Sequence, residues 1–221
     1  MSTDNNVEIE RRFLVDIPKW EAFKRKAEAN SFEILRINQG YLTQIGSDVT
    51  ARIRTIKYDM IEGVNAEFTV KGPRTGTCTQ TEFNSPYDYV KAEAILKMLT
   101  RKISKVRYEF SYVGKIWSVD EFLDGNRPLV VAEIELTSEK SKFRKPLFAT
   151  VEITSISALS NAALAELPIS AFELHYRSLL ENVLNGSTEI DELRWLINWN
   201  SYRHTSCGTT GTNKLVGVTS C

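Results

Sequence analysis

Segment after segment in the first 138 residues gathers most of its charge on one side. Successive strand side chains point to opposite faces, so parity assigns each residue a side. In the stretch Val7 to Val15, Ile9, Phe13 and Val15 share one face, and Glu8, Glu10 and Arg12 share the other. Ala51 and Ile53 oppose Arg52 and Arg54; Ala66, Phe68 and Val70 oppose Glu67, Thr69 and Lys71. Val106, Tyr108, Phe110 and Tyr112 oppose Lys105, Arg107 and Glu109, and Ala132, Ile134 and Leu136 oppose Glu133 and Glu135. Glu82 and Asp120 complete the polar set. For any one strand, a half-buried sheet with a wet outer face is the default reading. Two features weigh against it here: Arg and Glu replace the usual mixture, and the two signs are segregated by strand.

The segments 7–15, 32–43, 49–58, 65–71, 78–84, 103–113, 115–123 and 130–137 make eight candidate strands. Helical stretches interrupt them after Pro18, with Trp20, Phe23 and Ala27 at helical spacing, and over Asp88 to Leu99, where Val90, Ala94, Ile95, Met98 and Leu99 form a stripe. This is an α+β pattern with antiparallel pairing as the default. An eight-stranded sheet closed on itself with its polar face inward has room for side chains and one small ligand. Such a lumen would hold about a dozen charges, each forfeiting hydration, so pairing, water or a strongly charged ligand must compensate. Arg forks match phosphate oxygens bidentately. The pairs Glu8/Glu10 and Glu133/Glu135 suit a hard cation such as Mg²⁺, which prefers oxygen ligands.

Twenty-eight Lys plus Arg balance 28 Asp plus Glu in the 221 residues, which speaks against a DNA-coating protein. The acidic stretch Met1 to Asn6 has no signal-peptide core, and no apolar run is long enough to span a membrane. Cys78, Cys207 and Cys221 are an odd set without metal-binding spacing, read as free thiols in a reducing, cytoplasmic setting. Beyond about Ser155 the chain turns helical: Ala171 to Val183 is one predicted helix, Asn185-Gly186 its stop, and Ser187 or Thr188 the cap of a last helix through Ile197. The Thr/Ser/Gly-rich stretch from His204 to Cys221 reads as a mobile tail.

Glu8-Ile-Glu-Arg-Arg-Phe-Leu-Val15 resembles the ExExK signature of the CYTH domain, or triphosphate tunnel metalloenzyme, family. The resemblance continues, in the family's order, through Gln39-Gly-Tyr-Leu-Thr43, Arg52-Ile-Arg54, Thr69-Val-Lys-Gly72, Lys105-Val-Arg-Tyr108, Val119-Asp-Glu-Phe122 and Ala132-Glu-Ile-Glu-Leu136. It implies a closed eight-stranded antiparallel β-barrel tunnel over 1–165, with a charged interior and flanking helices. A helical extension packed on the barrel over 166–200 and a flexible tail over 201–221 follow.

The resemblance further implies a triphosphate substrate with Mg²⁺ or Mn²⁺ as cofactor. Carried over by position, Glu8, Glu10, Asp120, Glu133 and Glu135 would ligate metal, with Glu82 and Glu152 as accessories. Arg12, Arg52, Arg54, Lys71, Lys105 and Arg107 would grip the triphosphate. Tyr41 matches a family proton acceptor, while by residue type alone it is equally a packing aromatic.

Three departures stand out. Arg12 replaces the signature Lys, and the two are not equivalent. Gln80-Thr-Glu82-Phe-Asn84 lacks one cation and one carboxylate of the usual motif, and Ala158-Leu-Ser-Asn161-Ala-Ala-Leu164 has no basic residue. The leading expectation is a metal-dependent inorganic triphosphatase. Its rivals are a nucleoside triphosphatase, an adenylyl cyclase, or a triphosphate-binding module impaired in catalysis. Neither His175 nor His204 forms an identifiable triad with Ser157 or Ser160. Trp195 and Trp199 could sit at a partner interface, with packing on the barrel preferred. A homodimer is compatible with the sequence; DNA and membrane partners are not expected.

Overall fold

The structure, a computed structural model, describes residues 7–28, 31–44, 47–60, 62–75, 78–172 and 174–186. The predicted last helix with Trp195 and Trp199, the tail, Cys207, Cys221 and the acidic N-terminal stretch lie outside these residues. The chain runs β1 (Val7–Val15), α1 (Ile17–Lys26), β2 (Glu33–Tyr41), β3 (Thr50–Tyr58), β4 (Val64–Arg74), β5 (Thr79–Tyr87) and α2 (Tyr89–Met98). It continues through β6 (Lys102–Tyr112), β7 (Lys115–Phe122), β8 (Val130–Glu135), β9 (Ala149–Glu152), α3 (Asn161–Glu166) and α4 (Leu174–Leu184).

All strand pairs are antiparallel, in the order β5-β4-β3-β2-β6-β7-β8-β1. The sheet closes because β1 also pairs with β5, at Val7↔Thr81, Glu8↔Gln80 and Ile9↔Thr79. Eight strands therefore form a closed barrel, as expected. Past Ile9 that edge of β1 parts from β5 and takes up β9, with Phe13 opposite Glu152 and Val15 opposite Ala149. This ninth strand is an addition to the eight of the barrel. Four residues are too few to show alternation, and the strand exists because β1 leaves an edge to be covered.

The outside of the barrel is its apolar side. Phe13, Val15, Phe110, Trp117, Val119, Ala132 and Ile134 pack with Trp20 of α1 and with Phe148. Asp16 caps α1 by accepting from the Lys19 backbone N–H at 3.0 Å, and Pro18 occupies its first turn. Asp88 caps α2 in the same way through Lys91 at 2.8 Å. Helix α2 lays Ala92 and Leu96 on Ile53 and Ala66, with Tyr89, Ile95 and Leu99 alongside. The predicted stripe is thus corrected: Val90 and Met98 are 75% exposed. Gly40 of β2 leaves room for this docking, since a Cβ there would lie 2.6 Å from a Leu99 methyl and that side chain would have to shift.

The inward face is not polar throughout. Beyond Arg12 it turns apolar at Leu14, which joins Ile103, Phe122 and Val131 in a second core with Ile153, Leu159, Leu164 and Ile169. Helix α4 adds Leu180, Val183 and Leu184, and Phe172 precedes it. The 3₁₀ turn Ile169–Ala171 takes the first residue of the helix predicted from Ala171, and α4 begins only at Leu174. Gly186 (φ +91°) ends α4, as the Asn185-Gly186 stop requires. No helix among the described residues is long and apolar enough to cross a membrane.

Candidate active site

The closed sheet encloses a cavity of about 1100 Å³. Parity carries the same side of each strand into it. β1 supplies Glu8, Glu10 and Arg12, β3 supplies Arg52 and Arg54, and β4 and β5 supply Lys71 and Glu82. Lys105 and Arg107 enter from β6, Glu133 and Glu135 from β8, and Tyr41 from the end of β2. The segment between β9 and α3 borders the space with Thr154, Ser157 and Ser160, and α3 adds its first residue, Asn161.

On the β6–β7–β8 side the charges are paired tightly. Asp120, wholly buried, accepts Nε of Arg107 at 2.7 Å and Nη2 at 2.8 Å, and Nζ of Lys105 at 2.5 Å. Burial alone would raise its carboxyl, but Arg107 and Lys105 hold it well below the usual carboxylate range. Burial brings Lys105 down to about 8 against the pull of Asp120. Burial opposes the Arg107 charge too, yet Asp120 and Glu133 raise it above the ordinary guanidinium value. Arg107 also bonds Glu133, whose other oxygen meets Arg12 Nε at 3.3 Å. Arg12 Nη2 donates to the Leu159 carbonyl at 2.5 Å, tying β1 to the segment before α3.

The β3–β4–β5 side is looser. Lys71 Nζ lies 2.5 Å from both Glu8 and Glu82. Arg54 pairs with Glu67 at 2.8 Å, yet burial and then the neighbouring Arg52 charge lower it. Arg52 meets Glu82 only at 3.6 Å, and its buried Nε has no hydrogen-bond partner.

The carboxylates form two strained pairs. Burial, then a hydrogen bond with Glu82, pushes Glu8 up to about 8. Glu82 goes down to about 2: burial opposes this, but the bond from Glu8 and the charge of Lys71 dominate together. The pair in effect shares one proton. Burial, then the charge of Glu133, raises Glu10. Burial first, and a neighbouring carboxyl second, hold Glu8 and Glu10 back from ionising, and as all-oxygen donors these carboxyls fit a hard divalent cation in kind. They stand as two pairs; among the described residues no three acidic, His or Cys side chains are gathered closely enough to hold an ion as they lie.

Three predicted residues are placed apart from this cluster. Asp120 sits behind the cavity wall rather than on it, spent on two cations. Glu135 lines the cavity but is exposed. Glu152 does not line it; on β9 it bonds Arg11 on the outer face, Nε to Oε1 at 2.8 Å. Sequence reasoning passed over Gln39, which is wholly buried and donates Nε2 to the Tyr41 hydroxyl at 2.7 Å. Parity was the available signal, since Gln39 and Tyr41 are two residues apart on one strand.

Residues 6–165 match the CYTH domain family. The chain belongs to the CYTH family. An inorganic triphosphatase of Acetivibrio thermocellus is 33% identical over 168 residues, spanning 75% of this chain and 97% of that one. A crystal structure described as an inorganic triphosphatase overlays at TM-score 0.49 with 25% identity, covering 72% of this chain and 93% of the other. A Hippeastrum protein described as an adenylyl cyclase with dominant triphosphatase activity overlays at TM-score 0.44 with 17% identity, over 59% and 80% of the two chains. Both overlays are loose.

Proposed function

We propose that this CYTH protein is a divalent-metal-dependent inorganic triphosphatase, cleaving tripolyphosphate and water to pyrophosphate and phosphate within the barrel. The observation that carries the reading is the enclosed cavity whose cations and strained carboxylates face one space. A chain of phosphates with a bound cation answers both signs at once. Tyr41 is the only aromatic among the described residues that line the cavity, so no pair of aromatic rings there brackets a base. That favours an inorganic anion over a nucleotide.

Glu8, Glu10 and Glu133, with Glu135 at the exposed side and Glu82 as accessory, would hold Mg²⁺ or Mn²⁺. Bound there, the ion would neutralise phosphoryl charge. Arg52, with an uncommitted Nε, and Arg54 are assigned to the anion's oxygens. Lys71 bridges them to the carboxylate side, and Arg12, Lys105 and Arg107 form the opposite wall. We assign Asp120 to aligning Lys105 and Arg107 rather than to the metal, because both its oxygens are taken. These donors are fixed before the anion arrives, and preorganised charge of this kind stabilises what develops as the bridging P–O bond breaks.

Residues 1–165 are proposed as the hydrolytic unit, 166–200 as its helical extension and 201–221 as a tail, in a cytoplasmic protein. A phosphate-release screen over tripolyphosphate, ATP, GTP, thiamine triphosphate and pyrophosphate, with Mg²⁺, Mn²⁺ or EDTA, tests the reading. Release from tripolyphosphate that is lost with EDTA and in Arg52→Ala supports it. Metal-independent release, or faster release from ATP, rejects it.

A further inference from the structure

Tyr41 is held from three directions. Its backbone N–H donates to the Arg101 carbonyl at 3.1 Å, and the Arg101 guanidinium lies over its ring, 5.7 Å from the centroid. Arg101 is itself anchored to the Thr43 carbonyl and, at 2.7 Å, to Glu166 at the end of α3. The third hold is on the hydroxyl. Gln39, with none of its surface exposed, spends an amide hydrogen on the phenol oxygen, while its own Oε1 accepts no hydrogen bond.

A buried glutamine half-satisfied in this way is costly, and an apolar residue would pack there without that cost. The direction of the bond gives it a use. A phenol has one hydrogen to donate and an oxygen to accept with. Once Gln39 donates to that oxygen, the hydrogen must point elsewhere, and Tyr41 lines the cavity. The charged groups bearing on Tyr41 are Arg52, Arg12 and Arg101, all donors themselves and none able to accept its proton.

We propose that Gln39 is a positioning residue that turns the Tyr41 hydroxyl hydrogen into the cavity, so that Tyr41 donates a hydrogen bond to the bound oxyanion. This rests on the triphosphatase reading for its substrate. It differs from the proton-acceptor role that the family resemblance implies for Tyr41, which needs a phenolate. Burial, outweighing Arg52 and Gln39, pushes Tyr41 up to about 12 and keeps its proton in place.

The test is a double-mutant cycle on tripolyphosphate hydrolysis with Mg²⁺. Tyr41→Phe removes the donor; Gln39→Glu, assayed above the pH at which its buried carboxyl ionises, leaves only oxygens that would draw the hydroxyl hydrogen to themselves; and Gln39→Met removes the amide without a charge. Tyr41→Phe and Gln39→Glu should each lower kcat by about tenfold or more, with KM changed less than about threefold. The double variant should be no slower than Tyr41→Phe alone. A Gln39→Glu enzyme within about twofold of wild type, or losses that multiply in the double variant, overturns the proposal. If Gln39→Glu fails to fold by thermal unfolding, the Gln39→Met cycle decides by the same criteria. Calorimetric affinity for tripolyphosphate is measured in parallel. Wild type that binds but does not turn over sinks the triphosphatase reading alone, and the Gln39 proposal is then decided by whether the affinity losses coincide or multiply.

Discussion

On the β6–β7–β8 side of the cavity, Lys105, Arg107 and Arg12 are each bonded to a buried carboxylate; on the β3–β5 side, Arg52 faces its nearest carboxylate at 3.6 Å. The two walls carry the same residue types and differ in how far charge is already cancelled. Where pairing is complete, removing one partner strands a buried ion, and the loss appears first in stability. Where a donor is free, the loss appears first in catalysis. Charge of one kind can thus hold a barrel together on one wall and wait for a ligand on the other.

The contrast is broken most severely at Asp120. Asp120→Ala should destabilise the protein by about 3–5 kcal/mol, measured by denaturant unfolding, because Lys105 and Arg107 are left buried without their shared anion. A change below about 1 kcal/mol, within the range of an exposed pair, would mean that the tight wall is no more coupled than a surface.

Arg52→Ala comes next, and it reverses the pattern. Tripolyphosphate hydrolysis should fall by about 100- to 1000-fold, as on removing a preorganised oxyanion donor, while the unfolding midpoint stays close to wild type. Activity retained within about tenfold would show that the Arg52 guanidinium does not hold the anion.

The pH dependence sharpens the comparison, because Asp120 and Glu8 are shifted in opposite directions. Asp120 is held below its unfolded value of 3.8, so its stabilisation is present above that value and is lost as pH falls. Glu8 is raised from 4.5 to about 8, so its contribution is present below 4.5 and is lost as pH rises through about 8. With EDTA present, the wild-type melting temperature should decline between these two values on the alkaline side, and Glu8→Gln should flatten that decline. A decline that persists in Glu8→Gln would place its origin elsewhere.

The smallest effect is expected outside the barrel. Arg11→Ala removes the partner of Glu152, and both side chains are about one-third exposed. Stability should change by no more than about 1 kcal/mol and hydrolysis should not change.

Parity made most of the cavity wall legible, because a period of two is set by the backbone and survives any tertiary arrangement. Glu8, Glu10 and Arg12, or Arg52 and Arg54, had to share a side whatever the sheet did next. The stop at Gly186 was readable for the same local reason. Closure was not readable in this way: it depends on three residue pairs between β1 and β5, some seventy positions apart in the chain. Strand β9 was equally hidden, since only the edge that β1 leaves free calls for it. The exposure of Val90 and Met98 likewise follows from where α2 lands on β3 and β4.

Which cation each carboxylate neutralises was decided by the fold alone. Asp120 and Glu152 carry the same charge in strand segments of similar appearance, yet one is sealed behind the wall between Lys105 and Arg107 and the other meets Arg11 on the outside. Side is a property of one strand and is written into its alternation. Partnership is a distance between strands, and only register and closure set it.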